Sequence, residues 1–112
     1  MFNGDPKYFP AFNTINKGTI ENLSPDIIVE TCGVIGPNYV AHTKIGRLPD
    51  GAAAICELNG RIALMVADAT ATGNMTLALQ SLLLDPFIHS ETVAKNILED
   101  ILLENKQYDT RF

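Results

Sequence analysis

The chain has no tryptophan, only two cysteines, and only eight basic residues against thirteen acidic ones. Lys7, Lys17, Lys44, Arg47, Arg61, Lys95, Lys106 and Arg111 are scattered along 112 residues and never cluster. A nucleic-acid ligand needs a dense positive face that displaces counterions from phosphates, so that class of partner is disfavoured. No apolar run approaches the ~20 residues that cross a bilayer. The best stretch, Ile62 to Ala71, is short and interrupted by Asp68, so no membrane partner is expected. The first residues lack a basic segment followed by an apolar one, so no secretory leader is expected. Cys32 and Cys56 suit free thiols in a reducing cytoplasm, with a bridge between them the less favoured alternative.

The usual catalytic constellations are also missing. Cys32, His42, Cys56 and His89 are the soft metal ligands of the chain, separated by ten, fourteen and thirty-three residues. A zinc site uses three or four convergent ligands, commonly with close pairs, and no CxxC or HxxxH occurs here. His42 reads as a residue on the polar face of a strand, His89 as a loop residue, and Cys56 as a small core residue of a helix. Cys32 ends a strand near glycines, but no activating base or oxyanion loop accompanies it. A small metal or thiol enzyme built on these four residues is the weakest of the functional readings. Gly33-x-x-Gly36 fits neither a dinucleotide fingerprint nor a Walker loop. Glu21, Asp26, Glu30, Asp50 and Asp68 offer carboxylates, and no spacing selects two of them for acid–base work. Glu30 and Asp68 stand out because each sits among apolar neighbours.

What is present is an ordinary globular composition, 46% hydrophobic and 19% charged, enough for one modest domain. Residues 1–12 carry two prolines and three aromatics without periodicity and read as an irregular lead-in. Asp26 to Cys32 is rich in β-branched residues and reads as a strand. Gly33, Gly36, Pro37 and Asn38 punctuate the chain, and Tyr39 to Ile45 alternates as a second strand, giving a hairpin with a loop longer than two residues. After Leu48-Pro49 a helical run begins, in which Gly60 predicts a bend or break. Gly73-Asn74 predicts a stop and restart, and Met75 to Leu84 the next helix, ended by Asp85-Pro86. In the last helix Ser90 is the expected N-cap and Glu91 lies in the first turn. Val93, Ala94, Ile97, Leu98, Ile101 and Leu102 recur there at helical spacing. The fold class is therefore α+β, a short β-hairpin followed by three helical segments. The middle helices carry more apolar surface than one face requires, which calls for cover from a larger enzyme or another copy of the chain.

Three linked patterns carry a resemblance. They are Asn16-x-Gly18-x-Ile20-x-Asn22-Leu23-x-x-Asp26-x-x-Val29-Glu30, Gly46-x-Leu48-Pro49, and Ala67-x-Ala69-x-x-x-Gly73-Asn74 followed by Ala78-Leu79-Gln80-x-Leu82-Leu83-Leu84-Asp85-Pro86. With the last helix and the Tyr108-x-x-Arg111-Phe112 tail, they resemble the C-terminal portion of glycoside hydrolase family 4 over residues 13–112. Val29-Glu30-Thr31-Cys32 departs from the family's Val-Glu-Val-Pro, and Leu58-Asn59-Gly60-Arg61 replaces a segment rich in Asn or Gln. The resemblance implies part of a lactate dehydrogenase/family 4 C-terminal domain. It implies a parent hydrolase of O-glycosyl bonds that needs NAD and a divalent metal such as manganese. Such members include α-glucosidases, α-galactosidases, α-galacturonidases and 6-phospho-glucosidases. The family's chemistry oxidises the sugar at C3, removes the C2 proton and expels the aglycone, with the cofactor supplying the hard step. Because no motif here matches the family's nucleotide or metal sites, the resemblance implies a segment inactive alone. Its expected roles are substrate-domain core and contacts with the remainder of the enzyme or with like subunits. The alternative is a stand-alone oligomerisation module derived from the same fold. Asn16 and Asn22 are the candidate pocket-lining residues, although a local turn role comes first for such asparagines.

Overall fold

The computed structural model describes residues 4–106 and 108. The order of elements is β1 (Lys7–Ile15), β2 (Ile28–Ile35), β3 (Val40–His42), α1 (Asp50–Thr72), α2 (Met75–Leu83) and α3 (Glu91–Asn105). The α+β class holds: three antiparallel strands in the order β1-β2-β3 precede three helices. The chain divides into two compact units, and the division falls inside α1 between Gly60 and Arg61.

In the first unit, residues 7–12 are not irregular but form most of β1, a correction to the reading of residues 1–12 as a lead-in. The strand hides its periodicity through a bulge. Phe9 stands opposite Gly33 and Phe12 opposite Thr31, so three steps on β1 match two on β2. The extra residue puts both phenylalanines on one face, which strict alternation forbids. Pro10 lies within the bulge on an edge strand, where a missing N–H costs least. β2 buries Val29, Thr31 and Gly33 and turns Ile28 and Glu30 outward. The hairpin to β3 closes through Gly36 N–H donating to the Tyr39 carbonyl at 2.9 Å. β3 is shorter than the alternation suggests because the chain changes partner. Thr43 N–H still donates to the Cys32 carbonyl at 3.2 Å, but Ile45 N–H donates to Thr19 at 2.9 Å. Gly46 then bridges Ile20 in parallel.

Helix α1 runs unbroken through Gly60. That glycine is a contact point rather than a break. A Cβ there would stand 2.9 Å from both Cβ and Cδ1 of Ile27 and 3.0 Å from its Cγ2. Ile27 is 1% exposed, among the best-buried side chains of the unit, and it uses the space that a side chain at position 60 would take.

In the second unit, the stop and restart at Gly73-Asn74 is as expected. Gly73 adopts a φ of 67°, and the Asn74 side chain caps α2 by accepting from Leu77 N–H at 3.0 Å. Asp85 closes the turn after α2 by accepting from Phe87 N–H at 2.9 Å. Ser90 is the N-cap of α3 by backbone geometry, but its hydroxyl makes no capping bond. Lys95 lies 2.6 Å from Glu91 one turn away and holds that carboxyl below its ordinary range, chiefly by its hydrogen bond. Ala69, Ala94 and Leu98 are buried. Of the tail in the sequence pattern, Arg111 and Phe112 lie outside the described residues.

Gly60→Ala gives a direct check of the contact. Helix propensity favours alanine by about 1 kcal/mol, whereas forcing a methyl into a filled contact costs about 1–3 kcal/mol. We expect a net loss of stability in urea unfolding. The loss should shrink in an Ile27→Ala background; strict additivity of the two changes would disprove the contact.

Candidate functional site

The residues of the long Asn-Gly-Ile-Asn-Leu pattern converge on the loop between β1 and β2. The backbone enters it through a tight turn, with Thr19 N–H donating to the Asn16 carbonyl at 2.8 Å. Lys17 and Gly18 both take positive φ, 44° and 84°, the geometry of a type I′ turn. Gly18 suits that conformation; Lys17 adopts it under strain.

Asn16 itself is fully buried. Its Nδ2 donates to the carbonyls of Ile20 at 3.0 Å, Leu23 at 3.0 Å and Ser24 at 3.1 Å. Its Oδ1 accepts from Ile20 N–H at 2.7 Å. Asn16 N–H donates to the Ile27 carbonyl at 2.9 Å, so the two ends of the loop are joined at the same residue. Every polar atom of the side chain is thus committed to the main chain, the turn role weighed first for this residue.

Asn22 does the same over a longer span. Its Nδ2 donates to the Leu48 carbonyl at 3.0 Å and its Oδ1 accepts from Leu48 N–H at 2.9 Å. This two-bond grip ties the loop to Gly46-x-Leu48-Pro49, and Pro49 supplies the carbonyl that accepts from Ala53 N–H as α1 begins. Asn22 is half-buried, so one side of it remains in reach of solvent.

A third clamp was not foreseen. Glu57 of α1 accepts from Ser24 N–H at 2.8 Å and from Ser24 Oγ at 2.5 Å. Ala53, Glu57 and Gly60 recur at helical spacing, and one stripe of α1 therefore meets the loop. That spacing is the signal that could have found Glu57.

The other chemistry-bearing residues do not gather. His42 stacks on Phe12, ring centroids 5.6 Å apart, on the face that carries Gly33. Cys32 lies within β2 rather than at its end, beside Tyr8, whose phenol it raises above the ordinary range, chiefly by a side-chain hydrogen bond. Cys56 is exposed, not a core residue as its helical surroundings suggested, because Ala53 rather than Cys56 occupies the inward stripe. Both cysteines are free. His89 is exposed in the loop before α3, and Glu30 and Asp68 are exposed rather than buried among their apolar neighbours. Among the described residues no three His, Cys, Asp or Glu side chains come close enough to hold a metal ion. Within the loop the side-chain polar atoms of Asn16 are turned inward, while Lys17, Glu21 and Asp26 are exposed. No described helix is long and apolar enough to cross a membrane.

Comparison with known proteins agrees with the local geometry. The model of the Family 4 glycosyl hydrolase C-terminal domain matches residues 1–88. The chain is 35% identical over 95 residues to the phospho-alpha-glucosidase PagL of Clostridium acetobutylicum, covering 85% of this chain and 21% of that protein. It is 33% identical over 103 residues to a probable 6-phospho-beta-glucosidase of Bacillus subtilis, covering 89% and 23%. A 6-phospho-alpha-glucosidase from gut microorganisms, solved with NAD and glucose-6-phosphate, superposes with a TM-score of 0.83 at 28% identity, over 89% of this chain and 23% of that one. The 6-phospho-beta glucosidase of Thermotoga maritima, solved with manganese, NAD+ and glucose-6-phosphate, gives 0.81 at 28% identity, over 93% and 25%. The chain thus spans between a fifth and a quarter of the length of these relatives.

The wiring of Asn16 makes a quantitative demand. Asn16→Ala leaves an N–H and three carbonyls without their partner, and we expect a loss of roughly 3–5 kcal/mol in urea unfolding. Asn16→Asp keeps the bond from Ile20 N–H but faces a carboxylate toward three carbonyls, so it should not rescue. Asn22→Asp, half-buried and losing one bond, should cost about 1 kcal/mol. Equal effects at the two positions would contradict this account. From the loop geometry, the sequence match and the superposition together, the chain belongs to the glycosyl hydrolase family 4 C-terminal domain family.

Proposed function

We propose that the chain is the C-terminal segment of a glycosidase that cleaves O-glycosidic bonds by NAD-dependent oxidation and elimination, and that it is inactive alone. The observation that carries this reading is the conjunction of a family-4 fold with a span of about a fifth of the relatives' length. In the complete enzyme, bound NAD and a divalent metal such as manganese would supply redox and Lewis-acid chemistry. Among the described residues no three His, Cys, Asp or Glu side chains come together that could hold the metal. What this chain contributes is position. Asn16, Asn22 and Glu57 hold the β1–β2 loop to the start of α1, and a pocket wall built on that loop would keep its shape while substrate binds. Asn16 acts there by organising the wall, and Asn22 has a half-exposed side from which to reach a sugar hydroxyl. The partners are the remainder of the glycosidase and like subunits, the substrate a carbohydrate, and the compartment the cytoplasm.

One observation favours a second reading, that of a stand-alone interaction module. Val66, Leu83, Leu84, Phe87 and Leu103 are all exposed, Phe87 to 89%. Surfaces of this kind drive association. A discrete oligomer in light scattering would favour that reading, and a clean monomer would count against it.

The purified chain, supplied with NAD and manganese, should not release nitrophenol from nitrophenyl glycosides or their 6-phosphates, even at high protein concentration. Sustained turnover dependent on NAD would sink the inactive-segment reading. An upstream reading frame continuous with Met1 and carrying a dinucleotide glycine fingerprint would separate a segment from a stand-alone protein.

A further inference from the structure

One face of the sheet is built for contact and carries its own chemistry. Cross-strand partners share a face, so the register places Ile15 with Ile28, Asn13 with Glu30, and Tyr8 with Val34 on the same side, with Cys32 between the last two pairs. Ile15 is 42% exposed, Ile28 54% and Tyr8 64%. Asn13 and Glu30 are exposed as well, and neither side chain makes a hydrogen bond or ion pair with a described residue. The pattern is a polar pair set between two apolar pairs. It also explains why β2 reads Ile-Val-Glu-Thr-Cys-Gly-Val-Ile instead of alternating cleanly. Strands that are covered on both sides lose the alternation of a strand with one wet face.

We propose that this face seats the remainder of a family 4 glycosidase, with Glu30 as its polar anchor. The inference rests on the reading of the chain as a segment of such an enzyme and names the surface through which the segment is held. Two observations select the occupant. The fold superposes on relatives three-quarters or more of whose length lies outside the match, so a polypeptide of the right kind and size is available. The face bears a carboxylate and no lysine or arginine among its register positions, since Lys7 lies opposite Ile35 on the other side. A second copy would bring no cation to Glu30, only another carboxylate or the neutral Asn13 amide, and burying a carboxylate without a cation is unfavourable. The occupant must therefore bring a cationic side chain or main-chain N–H groups to Glu30 and apolar side chains to Ile15 and Ile28.

The test uses the whole 112-residue chain and, as the probe, the Thermotoga maritima 6-phospho-beta-glucosidase without the quarter of its length that aligns with it, shown by circular dichroism to be folded. Binding is measured by calorimetry, and folding of each variant by circular dichroism. Wild type should bind, while Ile28→Lys and Glu30→Lys each weaken binding at least tenfold. Ile101→Lys on α3, another exposed apolar position, should stay within threefold of wild type. Binding lost in Ile101→Lys but kept in the sheet variants would overturn the proposed surface and leave the segment reading intact. Self-association that Ile28→Lys abolishes would assign the face to a second copy instead, and no binding by a folded chain would also overturn the proposal. The segment reading fails separately, through glycoside turnover by the chain alone.

Discussion

A single primary amide organises the first half of this molecule. Buried Nδ2 and Oδ1 atoms have to be satisfied, since an unpaired polar group in such a place is costly. Asn16 meets that requirement by reaching four main-chain groups within the next eight residues. Two amide protons serve three carbonyls, so at least one is shared. No other side chain offers one acceptor oxygen and two amide donors on so short a stem: aspartate lacks the donors, and glutamine is one methylene longer. Once the amide is seated, the rest of the loop follows. Ile20 is delivered to its bridge with Gly46, Ser24 to the Glu57 carboxylate, and Ile27 to the space above Gly60.

This gives the family pattern a physical content that differs from catalysis. Asn16 is the hub of the loop, Gly18 takes its positive φ, Ile20 and Leu23 are buried and bonded to Asn16, and Asn22 grips Leu48. Gly46 and Leu48 enter because the loop is zipped to them, and Pro49 because the helix starts there. The spacing that relates the chain to glycosidases is a record of how a loop is closed.

The helices were legible because their signals are local. The Gly73-Asn74 restart and the α3 periodicity are set by neighbours within four residues, and the structure places both as expected. The α+β class and the family resemblance were likewise legible. β1 was not, because a bulge at Pro10 places Phe9 and Phe12 on the same side and removes the period of two on which strand recognition rests. Gly60 misled for a related reason. Propensity treats a helical glycine as a weakness, and only the distant Ile27 shows why it belongs there. Glu57 escaped because its partner lies 33 residues away. The two asparagines were singled out as candidate pocket-lining residues with a turn role weighed first; burial and bonding decide their work, and neither is written in the residue type.

The two units solve the problem of a small core differently. The first combines buried Ile20, Leu23, Ile27 and Val29 with polar bonds of two reaches: those of the Asn16 side chain span four, seven and eight residues, and the clamps of Asn22 and Glu57 span 26 and 33. Closing the short loops around Asn16 costs little chain entropy, so that part of the wiring can form without help from distant segments. The second unit relies on small residues, Ala69 and Ala94 among them, that let helices approach, and it keeps a cleft of about 140 Å³ lined by Val66, Ala69, Ala78, Leu82, Leu98 and Ile101. An apolar cleft of that size forgoes dispersion contacts along its walls. Each unit thus buries a few apolar side chains, the first adds hydrogen bonds that fix its loop, and in both units other large apolar side chains remain exposed. A loop closed by its own bonds beside large exposed apolar side chains is the arrangement expected of one part of a larger protein.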